Sequence, residues 1–127
     1  KIDKLVNPKH LFKLNISAQE ENLVGVCLKN PKFNLVIVEG GEKSIGHYKK
    51  LMMKRIKWTE NVSQSATNDP IDDLSNNKCS LVWEGSLPDV HFQKWSIMYS
   101  RDDEEALTAL KKFDLENYWR LASSLKE

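Results

Sequence analysis

The stretch FNLVIVEGG, residues 33–41, constrains the fold of this chain more than any other. It is rich in valine and isoleucine, and its core, residues 35–38, is the longest uninterrupted apolar run in the chain. A run of this kind, ended by two glycines, is typical of a strand that is covered on both faces. We therefore predict a central strand here, in a chain of 127 residues that is long enough for one domain with its own core.

Two elements are predicted before this strand. Residues 10–16, HLFKLNI, alternate apolar and polar side chains, which is the period of a half-buried strand. Ser17 followed by Glu20 forms a capping-box pattern and predicts a short helix. Residues 23–28, LVGVCL, fall within that helix by position but are equally compatible with a strand.

The C-terminal half predicts a hairpin followed by helices. Residues 79–85, CSLVWEG, and 94–100, KWSIMYS, read as two strands that pair through a short turn. The four acids after Ser100 are typical of a helix N-terminus, and a break at Asp114 or Leu115 separates this helix from a last turn or helix. This order of elements indicates an α+β sandwich, a small and mainly antiparallel sheet with helices packed on it.

One long polar segment interrupts the pattern. Residues 59–77 contain Pro70 and show no periodicity, which predicts a flexible loop inside a single domain spanning residues 1–127. The chain starts with Lys1 rather than a methionine, so we expect a C-terminal fragment of a longer protein.

The residues after the predicted strand concentrate positive charge. Six lysine and arginine residues and no acid fall within residues 43–57, although the formal net charge of the chain is only +1. At about 100° per residue, a helix would place one apolar group on its core face: Ile45, Tyr48, Met52 and Ile56. The opposite side would carry four lysines, with His47 beside them: Lys43, Lys50, Lys54 and Lys57. We call these four residues the lysine stripe.

The lysine stripe has two interpretations. Lysines are common on solvent-facing helices, and salt screens their charges within about 10 Å. Lysines without an acid three or four residues away repel each other, however, and a merely solvated face usually interleaves glutamate. Mobile ammonium groups suit the phosphates of a nucleic acid backbone, so a surface for a polyanion is the functional alternative.

Aromatic side chains could add base stacking to such a surface. The candidates are Trp58, Trp83, Trp95, Tyr99, Tyr118 and Trp119. Trp83 and Trp95 lie in predicted strands, where a large ring is usually buried. Trp58 follows the lysine stripe directly and lies outside the core face, so it either stacks on a base or closes the end of the helix against the sheet.

Other function classes find little support. No apolar run is long enough to span a membrane, and the basic start KIDKLVNPKHLF is not followed by the apolar core of a signal peptide. Cys27 and Cys79 stand far apart, which indicates neither a metal site nor a disulfide framework and favours a reducing, intracellular setting. The three histidines, His10, His47 and His91, fall in separate elements, and no catalytic motif occurs, so we predict no enzyme, no cofactor and no small-molecule substrate.

Several motifs carry a resemblance to a known family. The segments VEGGEK, YKKLMMKRIKW and NKCSLVWEG, with NPKHLFK near the start and NYWRLA near the end, resemble the C-terminal domains of pre-mRNA-processing factor three. The similarity runs from Asn7 to Ala122. That family belongs to the spliceosomal U4/U6 small nuclear ribonucleoprotein, and the resemblance implies a ferredoxin-like, non-catalytic domain that binds RNA in the nucleus.

The resemblance also implies a ligand and a set of contact residues. The ligand would be U4/U6 snRNA, chiefly the single-stranded 3′ region of U6 beside the duplex, and other tri-snRNP proteins would be partners in assembly. The RNA-binding positions that carry over are Lys43, Lys49, Lys50, Arg55, Lys57 and Trp58. His47 and Lys54 complete the predicted site, although they match the family pattern less well. The rival functions are a protein-interaction module that uses the basic helix and, last, a small enzyme of the acylphosphatase type.

Overall fold

The computed structural model describes residues 1–60, 74–86 and 90–125. Its elements in chain order are α1 (Pro8–Glu20), β1 (Val24–Lys29), β2 (Leu35–Glu39), α2 (Glu42–Lys50) continued by a π-helical turn (Leu51–Arg55), β3 (Trp95–Tyr99), α3 (Asp103–Lys111) and α4 (Glu116–Ser124). None of the helices in these ranges is long and apolar enough to cross a membrane.

The three strands form one mixed sheet in the order β2-β1-β3. β1 pairs with β2 in antiparallel register, Val24 opposite Glu39, and with β3 in parallel register, Gly25 opposite Trp95. The α+β class is thus confirmed. The expectation of a mainly antiparallel sheet is wrong, because one of the two strand pairs is parallel, and the ferredoxin-like detail is not confirmed.

Helices cover both faces of the sheet. Alternate strand residues pack toward α1 and α2 on one face: Cys27, Val36, Val38, Trp95 and Ile97. Their neighbours pack toward α3 and α4 on the other face: Val26, Leu28, Leu35, Ile37 and Met98. The sheet is therefore the middle of three layers, and each face supports its own hydrophobic core.

α1 replaces the strand predicted at residues 10–16 and the helix predicted from Ser17. The Asn7 side chain accepts a hydrogen bond from the Lys9 backbone N–H, and Pro8 follows at the first helical position. This is a strong N-terminal helix signal, and it outweighs the short alternating pattern. Ser17 lies near the end of α1 rather than at the start of a helix.

The LVGVCL segment forms β1, the second of the two alternatives left open by the sequence. Gly25 has φ +149°, and a Cβ at this position would lie 1.9 Å from the Ile37 carbonyl oxygen. Glycine is therefore required where β1 and β2 approach closely. β2 is a strand, as predicted, but it is bordered by β1 on one side and is not the central strand.

The predicted hairpin of residues 79–85 and 94–100 does not form. The second segment contains β3, which pairs with β1 rather than with its neighbour in sequence. In the first segment, Cys79 makes an isolated bridge to Ile2, which itself bridges to Asn34 ahead of β2. Cys79 thus pairs with the N-terminal residue Ile2, and the second segment pairs with β1, so the two segments do not pair with each other.

The predicted loop 59–77 is anchored at both ends that the structure describes. Glu60 accepts a 2.9 Å hydrogen bond from Lys9 Nζ, and Leu74 is fully buried. Asn77 is also buried and donates to the backbone carbonyls of Lys4 and Trp58, both at 2.9 Å. Residues 74–77 are thus held to the fold by these contacts, residues 61–73 lie outside the described ranges, and the flexibility of the loop stays a prediction.

The C-terminal helices agree with the sequence prediction. Asp102, rather than Ser100, caps α3 through a 2.9 Å hydrogen bond from the Glu105 N–H. Asp114 adopts φ 61°, a left-handed conformation that separates α3 from α4 at the predicted break.

Candidate nucleic-acid interface

The lysine stripe lies on the outer side of α2 and the residues that follow it. All four of its lysines are exposed, and the opposite side packs into the core beneath α1 and α2. Tyr48, Met52 and Ile56 are buried there, and the Tyr48 hydroxyl donates a 2.8 Å hydrogen bond to the Leu14 carbonyl. The segregation of charge predicted from helical periodicity is confirmed.

A π-helical turn occupies the middle of this basic segment. The Ile56 N–H donates to the Leu51 carbonyl at 3.0 Å, a bond that spans five residues instead of four. This wider turn keeps Met52 and Ile56 in the core while Lys54 and Arg55 remain exposed. Single π turns inside helices are frequent at functional sites.

Two basic residues at the margins of the stripe have acidic partners. His47 Nδ1 lies 3.0 Å from Glu21 Oε1 at the end of α1. Lys49 Nζ lies 2.7 Å from Glu84 Oε1, and both side chains of this pair are partly exposed.

The remaining cations of the predicted site differ from these two. Within residues 1–60, 74–86 and 90–125, no ion pair involves Lys43, Lys50, Lys54, Arg55 or Lys57. Among the described residues, the stripe therefore carries positive charge without an ion-pair partner, whereas His47 and Lys49 of the same helix are paired.

A cavity of about 240 Å³ opens beside the stripe, between α1 and α2. Its walls include Glu20, Glu21, His47 and Arg55, so both signs of charge face it. This mixed lining suits a polar group better than a bare phosphate chain.

Trp58 does not extend the exposed surface. Its side chain is only 7% exposed, and its indole N–H donates a 2.7 Å hydrogen bond to the Met52 carbonyl. The ring packs edge to face against His10, with centroids 5.1 Å apart. Of the two interpretations offered by the sequence, the structure supports the second, in which Trp58 closes the end of the helix against the core. Because the ring is buried, it has no free face on which a base could stack.

His10 forms the other half of this buried aromatic pair. Burial lowers the pKa of its imidazole, an effect opposed by the Lys57 backbone carbonyl and the Glu60 carboxylate. Its Nδ1 is buried and has no hydrogen-bond partner in the part of the chain that the structure describes. The neutral ring is therefore the form that fits this packing.

Trp83 is the exposed tryptophan, contrary to the prediction of a buried strand residue. It lies in an irregular segment, its side chain is 45% exposed, and its ring centroid is 5.5 Å from that of Tyr118 on α4. Glu84, the next residue, joins this segment to Lys49. The sequence offered one signal for this position: Gly85 and Ser86 end the LVWEG run, where a buried strand would need further apolar residues.

The described ranges contain no arrangement of side chains for a metal ion, and two of their chemically notable residues are structural. No group of three or more histidine, cysteine or carboxylate side chains is arranged to hold a metal ion there. Burial raises the pKa of the Cys27 thiol to about 12, which makes it a core residue rather than a nucleophile. Glu39 is buried and accepts hydrogen bonds from the His91 and Phe92 backbone N–H groups, which gives this carboxylate a structural role.

Comparison with known proteins complements this geometry. The family model described as "Small nuclear ribonucleoprotein Prp3, C-terminal domain" matches residues 1–122. The Arabidopsis thaliana protein named "Protein RDM16" is 35% identical over 123 residues, which cover 96% of this chain and 16% of that protein. The Schizosaccharomyces pombe protein named "U4/U5/U6 small nuclear ribonucleoprotein prp3" is 34% identical over an alignment 137 residues long, which covers 100% of this chain and 25% of the relative. The chain thus spans a quarter or less of the length of each relative.

Proposed function

The chain belongs to the family of the small nuclear ribonucleoprotein Prp3 C-terminal domain, and from this premise we propose that it is a non-catalytic module that binds single-stranded RNA. The observation that carries the proposal is the lysine stripe, whose four exposed ammonium groups have no ion-pair partner among the described residues. Such a surface attracts a phosphate backbone and gains affinity by releasing the counterions that surround it.

The ligand we propose is U4/U6 snRNA, with the single-stranded 3′ region of U6 as its main contact. The name of the fission yeast relative places that protein in a U4/U5/U6 small nuclear ribonucleoprotein. Binding of this kind would support tri-snRNP assembly in pre-mRNA splicing and would take place in the nucleus. Other tri-snRNP proteins would be neighbours rather than the primary ligand.

Within this interface the proposed roles differ. The proposed phosphate contacts are the cations that have no acidic partner among the described residues: Lys43, Lys50, Lys54, Arg55 and Lys57. Lys49 and His47 would contribute only after exchanging Glu84 and Glu21 for the ligand. Trp58 would support the interface indirectly, by fixing the end of the basic segment against the core.

A second candidate function is a protein-interaction module, since an acidic protein surface would also match uncompensated lysines. Competition separates the two. If the stripe binds RNA, a short uridine-rich single strand should displace labelled snRNA from the chain. If the stripe instead binds a protein, the single strand should not displace that protein.

The direct test is a salt titration. Changing Lys50, Lys54 and Lys57 to glutamine should weaken binding of a single strand regardless of its sequence and reduce the slope of log affinity against log salt by about 0.7 for each lost contact. The matched control carries the same charge change elsewhere, at three exposed lysines: Lys94, Lys111 and Lys112. Equal salt slopes for the two variants, with both folded, would remove the stripe from the interface.

A further inference from the structure

We propose that Trp83 and Tyr118 form a stacking platform for an unpaired base of the RNA strand whose phosphates contact the lysine stripe. This inference rests on the proposed function, and it assigns the base contact that Trp58 cannot provide. The residues of the platform come from the irregular segment before β3 and from α4.

The Trp83 ring is held in place although nearly half of the side chain is exposed. Tyr118 lies against it at an interplanar angle of 49°. Gly85 approaches it so closely that a Cβ there would lie 2.7 Å from the ring. A ring fixed by its neighbours loses little conformational freedom when it binds, which favours stacking over a freely rotating side chain.

The platform lies within reach of the basic helix. Glu84 follows Trp83 directly, and its carboxylate contacts Lys49 Nζ at 2.7 Å. Lys50 of the stripe follows Lys49 in turn. A strand that also places a phosphate on Lys49 can therefore present a neighbouring base to Trp83.

Charge favours RNA over an apolar protein partner as the occupant. The residue after Trp83, Glu84, pairs with Lys49, and this ion pair is exposed on both sides and therefore contributes little to stability. A phosphate can take the place of Glu84 on Lys49 at small cost. A purely apolar partner would gain nothing from these ammonium groups and would leave them desolvated.

The experiment compares Trp83→Leu and Trp83→Phe in titrations with a short uridine-rich single strand and with a blunt duplex. Leucine keeps apolar bulk but has no π face, whereas phenylalanine keeps the face. We expect Trp83→Leu to lower affinity for the single strand about 5- to 150-fold, with an unchanged salt slope and a much smaller effect on the duplex. Trp83→Phe should retain most of the affinity.

Leu121→Ala is the matched control, because Leu121 is exposed to the same degree as Trp83 and lies on α4 with Tyr118. It should bind as the unmodified chain does. The platform would be overturned if affinity for the single strand fell equally in Trp83→Leu, Trp83→Phe and Leu121→Ala. That result would indicate a general apolar contact surface rather than base stacking.

A measurement on the unmodified chain covers the case in which a variant does not fold. Trp83 is the most exposed of the four tryptophans, so it should dominate quenching of the indole emission by acrylamide. Saturating single strand should protect this emission. If the single strand leaves acrylamide quenching unchanged, the platform is disproved. It is also disproved if Trp83→Leu binds the strand as tightly as the unmodified chain while the triple lysine variant binds it more weakly. The proposed function stands in both cases. Failure of the unmodified chain to bind any single strand disproves both.

Discussion

The indole N–H of Trp58 donates a 2.7 Å hydrogen bond to the backbone carbonyl of Met52, at a point where the π-helical turn leaves that carbonyl available. The bond joins the residue after the lysine stripe to the core face of the same segment. It makes Trp58 a structural residue and separates its role from that of the exposed Trp83.

We predict that Trp58→Ala costs about 3 to 5 kcal/mol of unfolding free energy, because it removes a large buried ring and leaves a cavity beside His10. Trp58→Phe should cost about 1 to 3 kcal/mol, since it keeps most of the ring but leaves the Met52 carbonyl without its donor. Chemical denaturation measures both. A Trp58→Ala variant that unfolds like the unmodified chain would show that the ring is not buried in solution.

The second prediction concerns acidification. Burial holds the folded-state pKa of His10 below its ordinary value of 6.5, so the unfolded chain binds this proton more readily. The contribution of neutral His10 to the stability of the fold is present above about pH 6.5 and is lost as the pH falls through the pKa of His10 in the folded chain. The chain should therefore become less stable between pH 7 and pH 5.5.

The control for this prediction is His10→Phe, which keeps an aromatic ring against Trp58 but cannot titrate. The loss of stability between these two pH values should be smaller in the variant. The Glu60 carboxylate also faces His10, and its pKa is lowered by the hydrogen bond from Lys9, so it titrates below this window. An identical pH dependence in both proteins would assign the effect to other groups.

The third prediction divides the segment that the sequence marks as a loop. Replacing residues 62–73 with a short Gly/Ser linker should change stability little, because loop closure entropy varies slowly with length. Leu74→Ala should cost about 2 to 5 kcal/mol, because this side chain is fully buried. If the linker variant loses as much stability as Leu74→Ala, the replaced residues also pack against the fold.

The sequence predicted α2 well because its signal is local. Helical spacing predicts the burial of Tyr48 and Met52 and the exposure of Lys50, although the π turn and the extended Ile56 at its end were not predicted. The same local approach failed at residues 10–16, where seven residues of alternation fit a strand. There the helix is decided by the cap at Asn7 and by burial of His10, Leu14 and Ala18 at every fourth position.

Strand pairing was beyond a local argument. β1 ends at Lys29 and β3 begins at Trp95, so their parallel pairing joins segments that lie about half the chain apart. The exposure of Trp83 and the burial of Trp58 depend on the same long-range packing. Sequence alone therefore predicted the exposure of the basic residues but not which tryptophan is exposed.

The fourth prediction uses two glycines in opposite surroundings. Gly25→Ala should cost well over about 1 kcal/mol, because φ is positive and the new Cβ would meet the Ile37 carbonyl oxygen. Gly46→Ala should instead stabilise the chain by about 0.5 to 1 kcal/mol, since Gly46 lies inside α2 and a Cβ there meets nothing within 4 Å. Thermal denaturation compares the two. A destabilising Gly46→Ala would contradict the helical conformation at that position.

The last prediction tests the acid-paired margin of the stripe. Glu84→Gln removes the carboxylate from Lys49 and should change stability by less than about 1 kcal/mol, because the pair is exposed on both sides. Affinity for a single strand should rise, since Lys49 no longer exchanges one anion for another, and the salt slope should steepen by about 0.7. Glu105→Gln is the control, because it breaks an exposed ion pair with Arg101 on α3, away from the stripe. It should leave RNA binding unchanged. If Glu105→Gln raises the affinity for RNA as much as Glu84→Gln does, the rise comes from the change in net charge, and Lys49 lies outside the interface.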